Sequence, residues 1–189
     1  MKIDVSKIDG YAEMSAEDKL KALEEYEFET PIITKDSSEE VKNLKDALSK
    51  IKDDYDYIII DCPPSLGMLT INAFVASDGI VVPMQAEFYA VEGLSQLITT
   101  TKRIKKHYNE DLNIVGILIT MYNKRLLLSM QVMDELEKYY PDKLFNTTIS
   151  RNVKLTEAPG FGKPAYYHDK NSKGAQEYLE VARELSSRI

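Results

Sequence analysis

A parallel, doubly wound α/β sheet is the fold class this sequence predicts, and three observations carry it. Helical and strand-like patterns alternate from Ser37 to the C-terminus. The strand-like runs are apolar without alternation, as in strands buried on both faces. One of them, Tyr57-Ile-Ile-Ile, runs into Asp61, and the chain then meets Pro63-Pro64. Prolines cannot continue a ladder. An acid at the carboxyl end of a buried strand sits where open α/β sheets bind ligands. In nucleotide-hydrolysing folds such a carboxylate holds Mg²⁺, usually through water. By spacing alone, a buried strand that ends at a surface acid reads equally well.

The elements follow in order. Ser15-Ala-Glu-Asp18 resembles a capping box with Asp in the last place, which predicts a helix from Ala16 to about Phe28. Leu20, Leu23 and Tyr26 give it a thin apolar stripe, and Thr30-Pro31 ends it. Pro31–Thr34 is a short strand candidate. Ser38–Ile51 is amphipathic, with Val41, Leu44, Leu48 and Ile51 on one face. Tyr57–Asp61 is then the first strand, Leu69–Ala76 a short helix and Gly79–Pro83 a second strand. Ala90–His107 is a long helix, Asn113–Met121 a third strand, and Leu126–Tyr140 a helix stopped by Pro141. Leu144–Ser150 is a fourth strand and Gly174–Ser187 the last helix. Strands alternating with helices predict a parallel sheet with short crossovers. Two regions result, an acidic leader over residues 1–36 and an α/β portion over residues 37–189.

Composition limits the function classes. The 189 residues make one ordinary domain, 43% hydrophobic and 29% charged. No apolar run approaches a membrane span, and Met1-Lys-Ile-Asp opens no signal peptide, so a cytoplasmic protein without membrane contact is expected. Cys62 is the single cysteine, which excludes an intrachain disulfide; with two histidines, a structural zinc site is not expected. The net charge of −7 lies wholly in residues 1–56, whereas residues 57–189 carry 15 acids and 15 bases. A neutral region can still present basic patches to a polyanion. No G-x-G-x-x-G and no G-x-S-x-G occurs, so hydride and acyl transfer find no support.

Several motifs share one resemblance. Asp61-Cys-Pro-Pro-Ser-Leu-Gly67, Leu69-Thr-Ile-Asn-Ala73, the Val82–Leu94 stretch, Ser150-Arg-Asn-Val-Lys-Leu-Thr-Glu-Ala-Pro159 and Gly162-Lys-Pro164 closely resemble the ParA/Soj partition ATPases. These form the deviant-Walker branch of P-loop proteins, with MinD. The resemblance runs from about Val41 to the C-terminus. It implies a P-loop-type sheet, Mg-ATP as cofactor, an ATP-bridged homodimer, non-specific double-stranded DNA and a ParB/Spo0J-type partner that triggers hydrolysis at the bacterial nucleoid.

Carried over position by position, the resemblance makes Asp61 the catalytic, magnesium-linked acid of Walker-B type. Pro63, Pro64, Ser65 and Gly67 match the loop that senses the γ-phosphate, although turn chemistry explains them nearly as well. Gln85, Glu87, Tyr89, Glu92 and Gly93 match the segment near the dimer interface. Asn123 and Pro159 match positions near the adenine, and ordinary loop turns account for them equally. Arg125, Arg151 and Lys154 match cations that contact DNA phosphates. Lys102, Arg103, Lys105, Lys106 and His107 form a basic helix end, which also suits the helix dipole.

The family's phosphate loop, K-G-G-x-G-K-[ST], has no counterpart. No G-x-x-x-x-G-K-[ST] occurs, and Gly160-Phe-Gly-Lys-Pro164 lacks the first glycine, the hydroxyl and a leading strand. The expectation is a chain that is not an ATPase by itself, with strand edges left unpartnered and a need for a dimer or a complementing P-loop chain. The leader, faintly resembling the start of tailed-phage structural or scaffold-like proteins, would imply a gene fusion, a truncation or a mispredicted start. The alternatives are an ATP-independent interaction or DNA-binding module and a phage-associated structural protein.

Overall fold

Strand β2, Asn113–Thr120, organises the core. Its residues alternate between two apolar environments, as the two-residue period of a strand requires. Ile117 and Ile119 face one cluster with Met84, Leu94, Val132 and Leu136. Leu118 faces another with Phe145, Ile149 and Val181. A sheet buried on both faces reads as a continuous apolar run, which is why Ile-Val-Gly-Ile-Leu-Ile is legible as a strand. The computed structural model describes residues 42–189, so the predicted Ala16–Phe28 helix and Pro31–Thr34 strand lie outside the described residues.

Strand β1, Gly79–Gln85, pairs with β2 in parallel, from Gly79 opposite Asn113 to Gln85 opposite Thr120, with one irregularity between Ile80 and Val81. Among the described residues, four longer helices and several short ones surround the pair. Helix α1 is Asn43–Leu48 and α2 is Met68–Ala76, and these two lie against each other. Helix α3, Phe88–His107, is the crossover between the strands, and α4 is Leu127–Tyr139. Short helices α5, Val153–Glu157, and α6, Ala165–His168, precede the long α7, Lys173–Arg188. Met84 of β1 and Ile117 of β2 share the first core cluster with Leu94 of α3 and Val132 of α4, while Val181 of α7 belongs to the second. This is the predicted α/β class with a parallel sheet.

Helix α2 is buried almost all round, through Thr70, Ile71, Ala73, Phe74 and Val75. A helix without a polar face must be enclosed. Its last carbonyls need partners, and buried Asn109 supplies them: Nδ2 donates to the carbonyls of Phe74, Val75 and Ser77 at 3.0, 3.2 and 2.7 Å.

Two predicted strands are corrected. Tyr57–Asp61 forms no strand; Tyr57 is 61% exposed and Ile59 88%. A strand exists by its ladder, and among the described residues none pairs with this segment. Leu144–Ser150 forms only two parallel bridges, Leu144 with Ile117 and Ser150 with Tyr122. The Phe145 and Ile149 amides donate to the Ile117 and Ile119 carbonyls of β2, both at 2.9 Å, whereas those of Asn146, Thr147 and Ser150 turn to α7. Glu184 accepts from the N–H groups of Asn146 and Thr147 at 2.8 and 3.1 Å, and Glu177 from that of Ser150 at 2.8 Å. Carboxylates thus serve the amides that do not donate to β2.

Candidate functional site

Parallel strands deliver their carboxyl ends to one edge, and most of the candidate residues collect there. Gln85 ends β1; Asn123 and Arg125 follow β2; Arg151 and Lys154 follow the bridged Leu144–Ser150 segment. The Tyr122–Ser150 bridge sets the turn carrying Asn123 and Arg125 beside Arg151. Met121 makes the exit from β2 with φ of 52°, the one non-glycine in the left-handed region among the described residues. Strain of this kind costs roughly 1–3 kcal/mol and concentrates at functional turns.

Asp61 is exposed and opens an irregular loop, Cys62–Gly67, that leads into α2. Gly67 is the N-cap of α2 in extended conformation and contributes no side-chain cap. Thr70 Oγ1 donates to the Ser65 carbonyl at 2.6 Å, tying the loop to the first turn of the helix. Burial pushes the Cys62 thiol up, and the neighbouring Asp61 charge adds to it. Its Sγ lies 3.9 Å from the Ile60 carbonyl. Asn72 Oδ1 is buried without a partner among the described residues, although Nδ2 donates to the Met68 carbonyl. Thr70 and Asn72 received no role from the sequence. Their signal was present in the Leu69–Ala73 motif, but a hydroxyl bonding back to a loop is visible only in three dimensions.

Near β1, the amide of Glu87 donates to the Gln85 carbonyl at 2.9 Å, so the chain turns tightly into α3. Phe88 and Tyr89 stand out at 70% and 80% exposure, their rings edge-to-face at 5.8 Å. Glu92 and Gly93 are exposed on the next turn, and a cleft of about 360 Å³ opens between Val82–Gln85 and Ala90, Gly93 and Leu97.

Asn123 Oδ1 accepts from the Arg125 amide at 3.0 Å, a local turn that fits the plain reading of that asparagine. Pro159 sits in the 3₁₀ turn Ala158–Phe161, where its carbonyl accepts from the Gly162 amide. Among the described residues, neither Arg125 nor Arg151 has an ion-pair partner, whereas Lys154 Nζ lies 2.8 Å from Glu157 Oε2. The bond to Glu157 holds the Lys154 ammonium above its ordinary range. Lys102, Arg103, Lys105, Lys106 and His107 lie at the far end of α3. Lys105 Nζ there donates to the Leu112 carbonyl and Asn113 Oδ1 at the start of β2. The eight residues of β2, roughly 25 Å, therefore separate this basic end from Arg125 and Arg151. No group of three His, Cys, Asp or Glu suited to a metal ion occurs among the described residues, and no helix among them is long and apolar enough to cross a membrane.

The chain is similar to known proteins over most of its length. A family model described as an AAA domain matches residues 19–114. The sporulation initiation inhibitor protein Soj of Bacillus subtilis is 54% identical over 150 residues, covering 79% of this chain and 59% of the relative. The chromosome partitioning protein ParA of Myxococcus xanthus is 46% identical over 160 residues, covering 85% and 56%. Among solved structures, cobyrinic acid a,c-diamide synthase from Mycobacterium smegmatis, with bound ATP analog and magnesium, superposes with a TM-score of 0.63 at 34% identity, over 76% of this chain and 52% of that one. The chain spans little more than half the length of the curated relatives it matches.

Proposed function

The chain belongs to the Soj/ParA partition ATPases of the MinD/ParA superfamily, and we propose that it serves DNA partitioning through the cationic edge formed by Arg125, Arg151 and Lys154. The observation that carries this reading is that the Tyr122–Ser150 bridge brings to one edge the two segments that carry Arg125 and Arg151, 26 residues apart in sequence, both exposed and without an ion-pair partner among the described residues. Cations of this kind bind phosphates irrespective of sequence and release counterions as they do so. The stronger likeness to Soj than to the synthase favours partition over synthesis.

These residues do not fit Mg-ATP by themselves. Mg²⁺ is typically held by one or two carboxylates together with the phosphates of its substrate. Asp61 and the Pro63–Gly67 loop offer the acid and a helix start, but no lysine-bearing glycine loop in the sequence cradles the phosphates. We therefore derive no hydrolytic step for this chain. In our reading, a phosphate loop supplied by another segment would complete the site, with Asp61 on the metal side and Gln85, Glu87, Tyr89, Glu92 and Gly93 facing a second subunit. A ParB/Spo0J-type partner and action at the nucleoid belong to the same reading.

Fluorescence anisotropy with a labelled duplex of arbitrary sequence tests the DNA claim. Binding that weakens steeply with salt, is indifferent to sequence and falls about tenfold in Arg151→Ala is expected. Equal binding by wild type and the Arg125→Ala, Arg151→Ala double variant would overturn it.

A further inference from the structure

Lys154 differs from the two arginines beside it. Its ammonium is engaged, at 2.8 Å, by Glu157 one turn further along α5. The partnering is not a passing i,i+3 contact. The same oxygen, Glu157 Oε2, lies 3.5 Å from Nε2 of His168, whose side chain is only 14% exposed. His168 is itself fixed by stacking on Phe161, centroids 4.9 Å apart at 28°. Asn152 caps α5 by accepting from the Lys154 amide at 2.8 Å, so the backbone under the lysine is held as well. The acid is therefore seated independently of the lysine. If Lys154 swings out to a phosphate, Glu157 stays behind and repels that phosphate.

We propose that Glu157 withholds Lys154 from the cationic edge, so that the resting surface binds polyanions with Arg125 and Arg151 and keeps the third cation paired. This rests on the DNA reading above. Counterion release supplies a readout that distinguishes pairing from general charge. A cation freed to neutralise one more phosphate steepens the slope of log K against log salt by about 0.9. Removing a nearby negative charge without freeing a cation raises affinity but leaves that slope unchanged. The pair is about half exposed, and exposed pairs are weak. The gain at 0.1 M salt is accordingly modest, about two- to fivefold.

The experiment is a salt titration of duplex binding by the full chain, comparing wild type, Glu157→Gln, Lys154→Ala and the double variant, with thermal unfolding followed in parallel. The proposal expects Glu157→Gln to bind more tightly with a slope steeper by about 0.9, and the gain to vanish in the Lys154→Ala background. A gain that persists without Lys154, or an unchanged slope, overturns the proposal while leaving DNA binding intact. Should Glu157→Gln unfold early, Glu157→Ala and His168→Ala serve instead, the latter expected to give part of the gain because it unseats the acid; no gain in either overturns the proposal. If none of the proteins binds duplex at any salt concentration, the DNA reading itself falls, and the proposal with it.

Discussion

Single side chains in this protein answer to their immediate partners. Partial burial raises the Glu184 carboxyl, yet the hydrogen bonds from Asn146, Arg188 and Thr147 outweigh it and hold the group below the usual carboxylate range. A depressed acid adds stability that is complete above its unfolded pKa, near 4.3, and is lost as pH falls through the lower folded value. Glu184→Gln should therefore cost about 1–2 kcal/mol at pH 7 and flatten the acid limb of a urea-unfolding series below pH 4. Unchanged stability at both pH values would show that these amides do not depend on the charge. Cys62 reports on Asp61 in the same way. Burial and then the Asp61 charge raise the thiol, so Asp61→Asn should shift the pH–rate profile of iodoacetamide alkylation to lower pH. An identical profile in the variant would separate the two groups.

At the scale of elements, pattern and structure agree wherever an element is enclosed by its neighbours. Helices α3, α4 and α7 were legible because their apolar positions repeat at the helical period, and α2, β1 and β2 because they are nearly unbroken apolar runs that meet a core. Two elements escaped. Tyr-Ile-Ile-Ile states what the segment is made of, and burial further requires a neighbouring strand that no local pattern records. Leu144–Ser150 looked like a strand, but three of its amides bond to carboxylates 27 to 38 residues later, a commitment invisible in sequence. The candidate site was legible as residue types and motif order, whereas the Lys154–Glu157–His168 contacts and the Tyr122–Ser150 bridge emerged only from the fold. Ile59→Asp tests the first correction. At 88% exposure it should change stability by no more than about 0.5 kcal/mol in urea unfolding, against several kcal/mol for a buried strand position. Gly116→Ala tests the enclosure of β2, because a Cβ there would collide with the Phe145 ring. It should destabilise by about 1–3 kcal/mol, and a neutral outcome would mean that Phe145 does not pack against β2 as described.

For the molecule as a whole, the α/β unit places exposed Asp61 at the head of a loop and exposed Arg125 and Arg151 beyond the carboxyl ends of the strands, and the 189 residues hold no G-x-x-x-x-G-K-[ST]. All the net acidity lies in residues 1–56 and none in the rest. The central claim is that these 189 residues present the polyanion-binding side of a partition ATPase without a nucleotide site of their own. Titration calorimetry of Mg-ATP into the purified chain, with Asp61→Ala as control, tests it most directly. No heat above dilution from either protein is the predicted result. Saturable binding that Asp61→Ala abolishes would contradict the account, because it would require a phosphate site built from residues not assigned to one here.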